Sequence, residues 1–161
     1  MGLQNKLMKI SMRIACAGLA MLLLAAGAMA QQRTESVERQ IFDSANDARR
    51  AQGLLRLKWD PALARAAQQH AAAMARQNML SHQLPAEPSL PTRVSRSGVY
   101  FISLSENVAQ GHDADQISQE WVQSPQHRQN LLDPEMNRIG IGVAERDGQL
   151  FAVEDFAKVK P

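Results

Sequence analysis

The side chains best suited to chemistry in this 161-residue chain are four histidines and one carboxylate. The histidines are His70, His82, His112 and His127, and the carboxylate is Glu106 in the run Ser-Glu-Asn-Val. Imidazole and carboxylate are ligands that a divalent transition metal such as zinc uses, and such a site can keep one position open for water. The alternative is structural: Glu106 caps or hydrogen-bonds a loop, and His82 and His127 tie loops to a sheet.

Two of these histidines are expected to lie outside any functional site. His70 stands between Ala67 and Met74 on the apolar stripe of a predicted helix, which favours a buried, hydrogen-bonded core residue. His112 stands in the run Gly-His-Asp, a polar turn signal, so we expect it to be exposed.

Several familiar catalytic patterns do not occur in the sequence. It contains no Gly-x-Ser-x-Gly elbow and no His-Glu-x-x-His motif, so neither a serine hydrolase of that type nor a helical zinc protease is predicted. The run Gly140-Ile141-Gly142 lacks the third glycine and the following helix of a dinucleotide loop. Close packing of a strand against a helix explains these glycines better.

Residues 1–30 are predicted to be a signal peptide. Three basic residues precede an apolar segment over residues 14–27 and the small-x-small pattern Ala28-Met29-Ala30. A membrane span needs ~20 residues, so an uncleaved anchor is the less favoured alternative. The single cysteine, Cys16, lies inside this leader. We therefore expect a bacterial protein exported to the periplasm or secreted, without a stable membrane anchor after cleavage.

The charge balance of the mature chain excludes some classes of partner. The leader holds three of the 18 Lys and Arg residues and none of the 16 Asp and Glu residues, which leaves 15 basic against 16 acidic side chains. A nearly neutral domain argues against nucleic acid and against an anionic membrane surface as partners. We expect residues 31–36 to be a flexible polar tail and residues 37–161 to be one monomeric domain.

Three helices are predicted in the mature chain. The first covers about residues 37–52, where apolar residues recur at helical spacing. The second begins at Asp60-Pro61, an N-cap followed by a proline at the first helical position, and extends to about residue 79. The third begins at residue 113 or 115, both aspartates, and ends before Pro125.

The last forty residues change to the periodicity of strands. Residues 139–144 and 150–156 alternate around the turn signal Arg146-Asp147-Gly148-Gln149. On the second strand, Phe151, Val153 and Asp155 fall on one face. Helices followed by an antiparallel hairpin predict a layered α+β domain.

The segment between the second and third helices is the least regular. Its proline-rich part, residues 83–98, predicts a loop with at most one helical turn around residues 92–95. Residues 99–104 are mostly apolar and favour a buried strand. Alternatively, the apolar side chains of the whole loop 83–104, including Leu84 and Leu90, would suit the wall of a lipid-binding groove.

Taken together, these motifs resemble the bacterial, SCP-like branch of the CAP superfamily, which includes cysteine-rich secretory proteins, insect venom antigens and plant pathogenesis-related proteins. The resemblance covers about residues 40–157. It rests on Glu106-Asn107-Val108, on His127-Arg128-Gln129-Asn130 and on the glycine-spaced strand beginning at Gly140. It implies a three-layer α-β-α sandwich, here with a mature domain free of cysteine.

The resemblance also implies a site. The family's central cleft carries two histidines and acidic residues, and by motif His82, Glu106 and His127 correspond to this cleft as candidate ligands of zinc, of another divalent metal or of a small molecule. Eukaryotic members usually place a second glutamate three residues after the tryptophan that corresponds to Trp121, and here that position is Ser124. A site of at most His-Glu-His composition is therefore expected.

Three functions are compatible with such a protein. The first is a binding or interaction module of the cell envelope or secretome, with a small ligand or an envelope or host protein as partner. The second is a metal-assisted hydrolase of peptides or envelope material, in which His82 and His127 hold the metal and Glu106 serves as ligand or general base. The third is a structural scaffold or a lipid binder. A fold does not choose among them, and no catalytic residue is assigned.

Overall fold

The computed structural model describes the backbone of residues 2–160 and the side chains of residue 25 and residues 27–160. The chain forms two compact units, residues 1–33 and residues 34–161. The first unit belongs to the helix α1 (Gly2–Ala51). The side chains of the predicted leader before residue 25 lie outside the described part, so signal cleavage stays a prediction. Among the described residues, no helix combines the length and the apolar character that a membrane span requires.

The second unit contains one mixed sheet between helices. After α1 the elements are β1 (Lys58–Trp59), α2 (Pro61–Gln77), α3 (Leu90–Arg96), β2 (Ser103–Gly111), α4 (Ala114–Gln123), α5 (Pro125–Leu131), β3 (Arg138–Arg146) and β4 (Gln149–Lys158). The strand order is β1-β3-β4-β2, so β1 and β2 are the two edges. The strand β1 runs parallel to β3, and the other neighbours are antiparallel.

Alternation along the strands builds two cores, one on each face of the sheet. Ile139 and Val143 of β3 pack with apolar residues of α1, α4 and α5. Phe151 and Val153 of β4 pack on the other face against alanines of α2. This arrangement confirms the predicted three-layer α-β-α sandwich. It also places Asp155, two residues after Val153, on the α2 face as the alternation predicts.

The helix α2 lies directly on β3 because two glycines allow it. A Cβ built on Gly140 would be 2.2 Å from the Ala64 nitrogen, and one on Gly142 would be 2.2 Å from the Gln68 nitrogen. Real Cβ atoms do not approach backbone so closely, so both positions require glycine. The expectation that these glycines serve strand-to-helix packing is confirmed.

The predicted helix starts are also found. Asp60 caps α2, and its carboxylate accepts from the backbone nitrogens of Ala62 at 2.8 Å and Leu63 at 3.1 Å. Asp113 caps α4 by accepting from the Gln116 nitrogen at 2.8 Å. These are local hydrogen bonds between near neighbours in sequence, which is why a sequence pattern can predict them.

Three local predictions differ from the structure. Residues 31–36, expected to be an irregular tail, are helical as part of α1. The proline-rich segment forms the seven-residue helix α3 rather than a single turn. The segment after Pro125 forms α5, which the sequence did not predict, because the proline suits the first turn of a new helix as well as the end of an old one.

The strand predicted over residues 99–104 is wrong for most of its length. Residues 99–102 precede the strand, and Tyr100 is 93% exposed. The strand β2 runs over Ser103–Gly111 instead and pairs with β4 along all nine residues. Its middle carries the buried polar residues Glu106 and Asn107, which hide the strand from a hydrophobicity pattern.

Candidate functional site

The sheet edge formed by β2 carries the acidic residue of the predicted site. Glu106 is buried, and its Oε1 lies 2.9 Å from Nδ1 of His82. The His82 ring, held in the segment between α2 and α3, has a side chain that is 54% exposed. The hydrogen bond to Glu106 raises the pKa of His82, more than burial lowers it. The structure therefore brings together two of the three predicted site residues.

The second oxygen of Glu106 accepts a hydrogen bond from a residue that the sequence did not predict to belong to the site. Arg93 of α3 is 4% exposed, and its Nη2 donates to Glu106 Oε2. Its Nη1 also donates to the Pro88 carbonyl at 3.3 Å. An arginine in a proline-rich segment gives no signal that it is buried, and only the return of α3 onto β2 reveals its role.

His70 extends the network away from the edge of the sheet. The ring is fully buried, with Nε2 donating to the Ser81 carbonyl at 2.8 Å and Nδ1 lying 2.8 Å from Glu87 Oε2. Both ring nitrogens of His70 therefore have hydrogen-bond partners. The prediction of a hydrogen-bonded core histidine is confirmed, and this histidine also fixes the segment that carries His82.

A third carboxyl group, Asp155, lies beside Glu106 and was not predicted to belong to the site. The two residues face each other in the β2–β4 ladder, and Asp155 is fully buried. Neither of its carboxyl oxygens has a hydrogen-bond partner in the described part of the chain. Burial raises its pKa well above the ordinary value, and repulsion by Glu106 adds to this, whereas Arg93 opposes it. Asp155 therefore stays protonated to higher pH than an ordinary aspartate does.

The third predicted residue, His127, approaches from the other helical layer. It lies on α5, and its half-buried ring has a buried Nδ1 without a hydrogen-bond partner among the described residues. Burial lowers the pKa of His127, and repulsion from His82 lowers it further, against the attraction of Glu120. This repulsion means that His82 influences the titration of His127 across the sheet edge, although no hydrogen bond joins the two rings.

A network of side-chain amides holds α5 against β2. Asn130 Nδ2 donates to Asn107 Oδ1 at 2.9 Å and to the Glu106 carbonyl at 3.1 Å. Asn107 Nδ2 donates to the His127 carbonyl at 3.1 Å and to Glu154 at 3.2 Å. Burial raises the pKa of Glu154 to about 8, with the Asn107 bond opposing it. The Asn of each family-like motif thus binds the backbone carbonyl of the His or Glu in the other motif.

The acidic residue of the predicted zinc site is already paired in this arrangement. Both oxygens of Glu106 are engaged, one by His82 and one by the Arg93 guanidinium, whose positive charge lies where a metal would need the carboxylate. Ser124, at the position of the family's second glutamate, joins α4 to α5. No group of three His, Cys, Asp or Glu residues among those described is placed to hold a metal. The zinc site stays a prediction.

The two cleft histidines are expected to titrate in opposite directions from their ordinary pKa of about 6.5. His82 should titrate above this value because of Glu106, and His127 below it because of burial. NMR titration of the imidazole resonances, assigned with His82→Ala and His127→Ala, measures both.

The same shifts set a pH dependence of stability with a defined sign. The His82 pKa is raised on folding, so its contribution is complete below the unfolded pKa and is lost as the pH rises through the folded value. The contribution of His127 has the opposite sign and is lost as the pH falls. Equal pKa values for the two histidines would contradict the arrangement described.

Known proteins share this architecture. A sequence model of CAP, the cysteine-rich secretory protein family, matches residues 42–156. The uncharacterised protein YkwD of Bacillus subtilis is 28% identical over 117 residues, which are 72% of this chain and 46% of YkwD. An extracellular SCP-domain protein of Bacillus anthracis is 32% identical, with a TM-score of 0.76 over 81% of this chain and 43% of that chain.

A more distant structure has the same fold. An outer surface protein of Borrelia burgdorferi is 21% identical, with a TM-score of 0.72 over 78% of this chain and 94% of that chain. The chain spans less than half the length of YkwD and of the Bacillus anthracis protein.

Proposed function

The chain belongs to the CAP family, and we propose that it is an exported binding module whose cleft beside His82 and His127 takes a ligand with a carboxylate or carbonyl acceptor. Such a group occurs on small polar molecules and on peptide segments of envelope or host proteins. A protonated His82 donates a hydrogen bond to the acceptor, and the neutral His127 forms the opposite wall of the cleft.

The state of Glu106 carries this proposal. A carboxylate with one oxygen on His82 and the other on a buried arginine is held in place, and it raises the pKa of His82 and orients the ring. Both of its oxygens already accept hydrogen bonds, so its role in this arrangement is to position His82 rather than to activate a water. This arrangement supports a rigid recognition site, in which the exposed imidazole of His82 contacts the ligand and the buried Glu106 and Arg93 position that imidazole.

Export is supported by two of the similar structures and by the leader. The Bacillus anthracis neighbour is named as an extracellular protein and the Borrelia neighbour as an outer surface protein. The leader pattern before Gln31 is typical of an exported chain. On this proposal the domain works in the periplasm or outside the cell, where a mature chain without cysteine relies on its two cores rather than on disulfides.

A metal-assisted hydrolase is the alternative function, and zinc calorimetry separates the two. Zinc chloride is titrated into the purified protein and into the double variant His82→Ala/His127→Ala. We expect no site of micromolar affinity in either, because a zinc ion would have to displace the Arg93 guanidinium from Glu106. One site per chain in the wild type, lost in the folded double variant, would overturn the proposal in favour of the hydrolase.

Ligand binding itself is tested with acetyl-alanyl-alanine, a probe with both a carboxylate and carbonyl groups. We expect it to shift the imidazole resonances of His82 and His127 and to leave those of His112, which is exposed elsewhere, unchanged. His112→Ala is the matched control and should bind as the wild type does. Shifts of equal size at all three histidines would mean non-specific contact and would contradict a recognition cleft.

A further inference from the structure

A groove lies at the edge of the sheet opposite to Glu106, beside β1 rather than β2. It has a volume of about 530 Å³ and lies between the second half of α1 and the end of β1. This volume is within the usual range for ligand sites. Its lining combines two aromatic rings, three carboxylates and one guanidinium: Phe42, Trp59, Glu35, Glu38, Asp43 and Arg39.

The aromatic part of the groove is ordered and accessible. Phe42 and Trp59 meet edge to face, with ring centroids 5.5 Å apart and planes at 85°. Trp59 remains 37% exposed although it is a large apolar side chain. The face of an indole attracts a cation within about 6 Å of its centroid, more strongly than other aromatic rings do.

The acidic part of the groove contains one carboxyl group, Glu38, that no described cation pairs with. Asp43 has Arg56 at 3.8 Å, but Glu38 has no ion-pair partner among the residues that the structure describes. Burial raises the pKa of Glu38 to about 7, repulsion by Glu35 adds to this, and the Val143 backbone offsets only part of it. Arg39 is exposed, and Lys58, next to Trp59 in the chain, lines a different groove.

We infer that this groove binds the side chain of an arginine or lysine in a basic peptide segment of a partner protein. The cation lies over the Trp59 ring and pairs with the Glu38 carboxylate. The groove is larger than one side chain requires, so flanking residues of the peptide also fit, which favours a peptide over a free amine. The site is independent of the cleft at β2 and does not rest on the function proposed there.

The charge state of Glu38 makes the affinity for a cation depend on pH. With a pKa of about 7 the carboxyl is partly protonated at neutral pH, and a bound cation favours the ionised form. Binding should therefore release protons near pH 7 and become tighter as the pH rises from 6 to 8.

Calorimetry with acetyl-Ala-Arg-Ala-amide tests the inference, using two buffers of different ionisation enthalpy. The control peptide replaces arginine by citrulline, which has the same shape without the charge. We expect the citrulline peptide to bind at least about tenfold more weakly, the approximate effect of a 1.4 kcal/mol difference. The observed enthalpy should also differ between the two buffers for the arginine peptide.

Two variants locate the site, and a third serves as control. Glu38→Gln should weaken binding about tenfold and abolish the proton release, and Trp59→Leu should weaken it about three- to fivefold. Asp147→Asn removes the same charge from the exposed β3–β4 turn and should bind as the wild type does. Circular dichroism checks that each variant is folded. Equal affinity for the two peptides, or wild-type affinity in a folded Glu38→Gln protein, would overturn the inference.

Discussion

Replacing Arg93 with methionine is expected to lower the free energy of unfolding by about 3–5 kcal/mol, the usual effect of removing one partner from a buried ion pair. The variant leaves Glu106 as a buried carboxylate whose remaining partner is His82. It also leaves Asp155 facing a carboxylate that no arginine compensates. Urea unfolding at pH 7 measures the loss.

The matched control for this substitution is Arg96→Met, on the same helix but exposed. It should change the free energy of unfolding by less than about 0.5 kcal/mol. The double variant Arg93→Met/Glu106→Gln should recover part of the loss, because the glutamine amide leaves no unpaired charge in the interior. An Arg93→Met protein as stable as Arg96→Met would show that the buried pair does not hold the site together.

The pKa of His82 gives an independent measure of the same hydrogen-bond network around Glu106. Arg93 lowers the pKa of His82 through repulsion. If the Arg93→Met protein is folded, the pKa of His82 should therefore be higher than in the wild type. A lower pKa of His82 in the folded variant would mean that Glu106 has moved away from the imidazole.

Replacing Gly142 with alanine is expected to prevent the domain from folding, or to destabilise it by well over the ~1–3 kcal/mol typical of an overpacked core. The new Cβ would be 2.2 Å from the Gln68 nitrogen and 2.4 Å from the Ala67 carbonyl carbon. Both are backbone atoms of a helix packed on the sheet, so no side-chain rotation relieves the clash. Soluble expression and thermal unfolding measure the result.

Gly53→Ala separates this steric effect from the backbone freedom of glycine. Gly53 follows α1 with φ of 69°, and a Cβ there meets nothing within 4 Å. Its substitution should destabilise by about 1 kcal/mol through backbone strain alone. Equal losses for Gly53→Ala and Gly142→Ala would show that close packing of α2 on β3 is not what position 142 requires.

The sequence predicted the local features of the fold well because their causes are local. The caps at Asp60 and Asp113 act on nitrogens two or three residues away, and the hairpin of β3 and β4 follows from period-two alternation around Asp147-Gly148. The character of His70 also followed from its place on an apolar helical stripe. Each of these signals is contained within one short window of the chain.

The strand β2 shows where such signals fail. Its central residues are polar yet buried, and they tolerate burial only because partners distant in sequence satisfy them. Asn107 finds Asn130 and Glu154, and Glu106 finds His82 and Arg93. The sequence of β2 alone therefore predicts neither a strand nor a buried segment.

The amino-acid order was sufficient to identify the family-like motifs, the caps, the hairpin and the three candidate site residues, His82, Glu106 and His127. It was not sufficient to assign the role of Glu106, because Arg93 arrives from α3 and Asp155 from β4. The charge of a buried carboxylate depends on which groups surround it in space, since desolvation and Coulomb interactions act through distance and not through sequence separation. The groove at Trp59 also depends on the tertiary structure, because its lining comes from both α1 and β1.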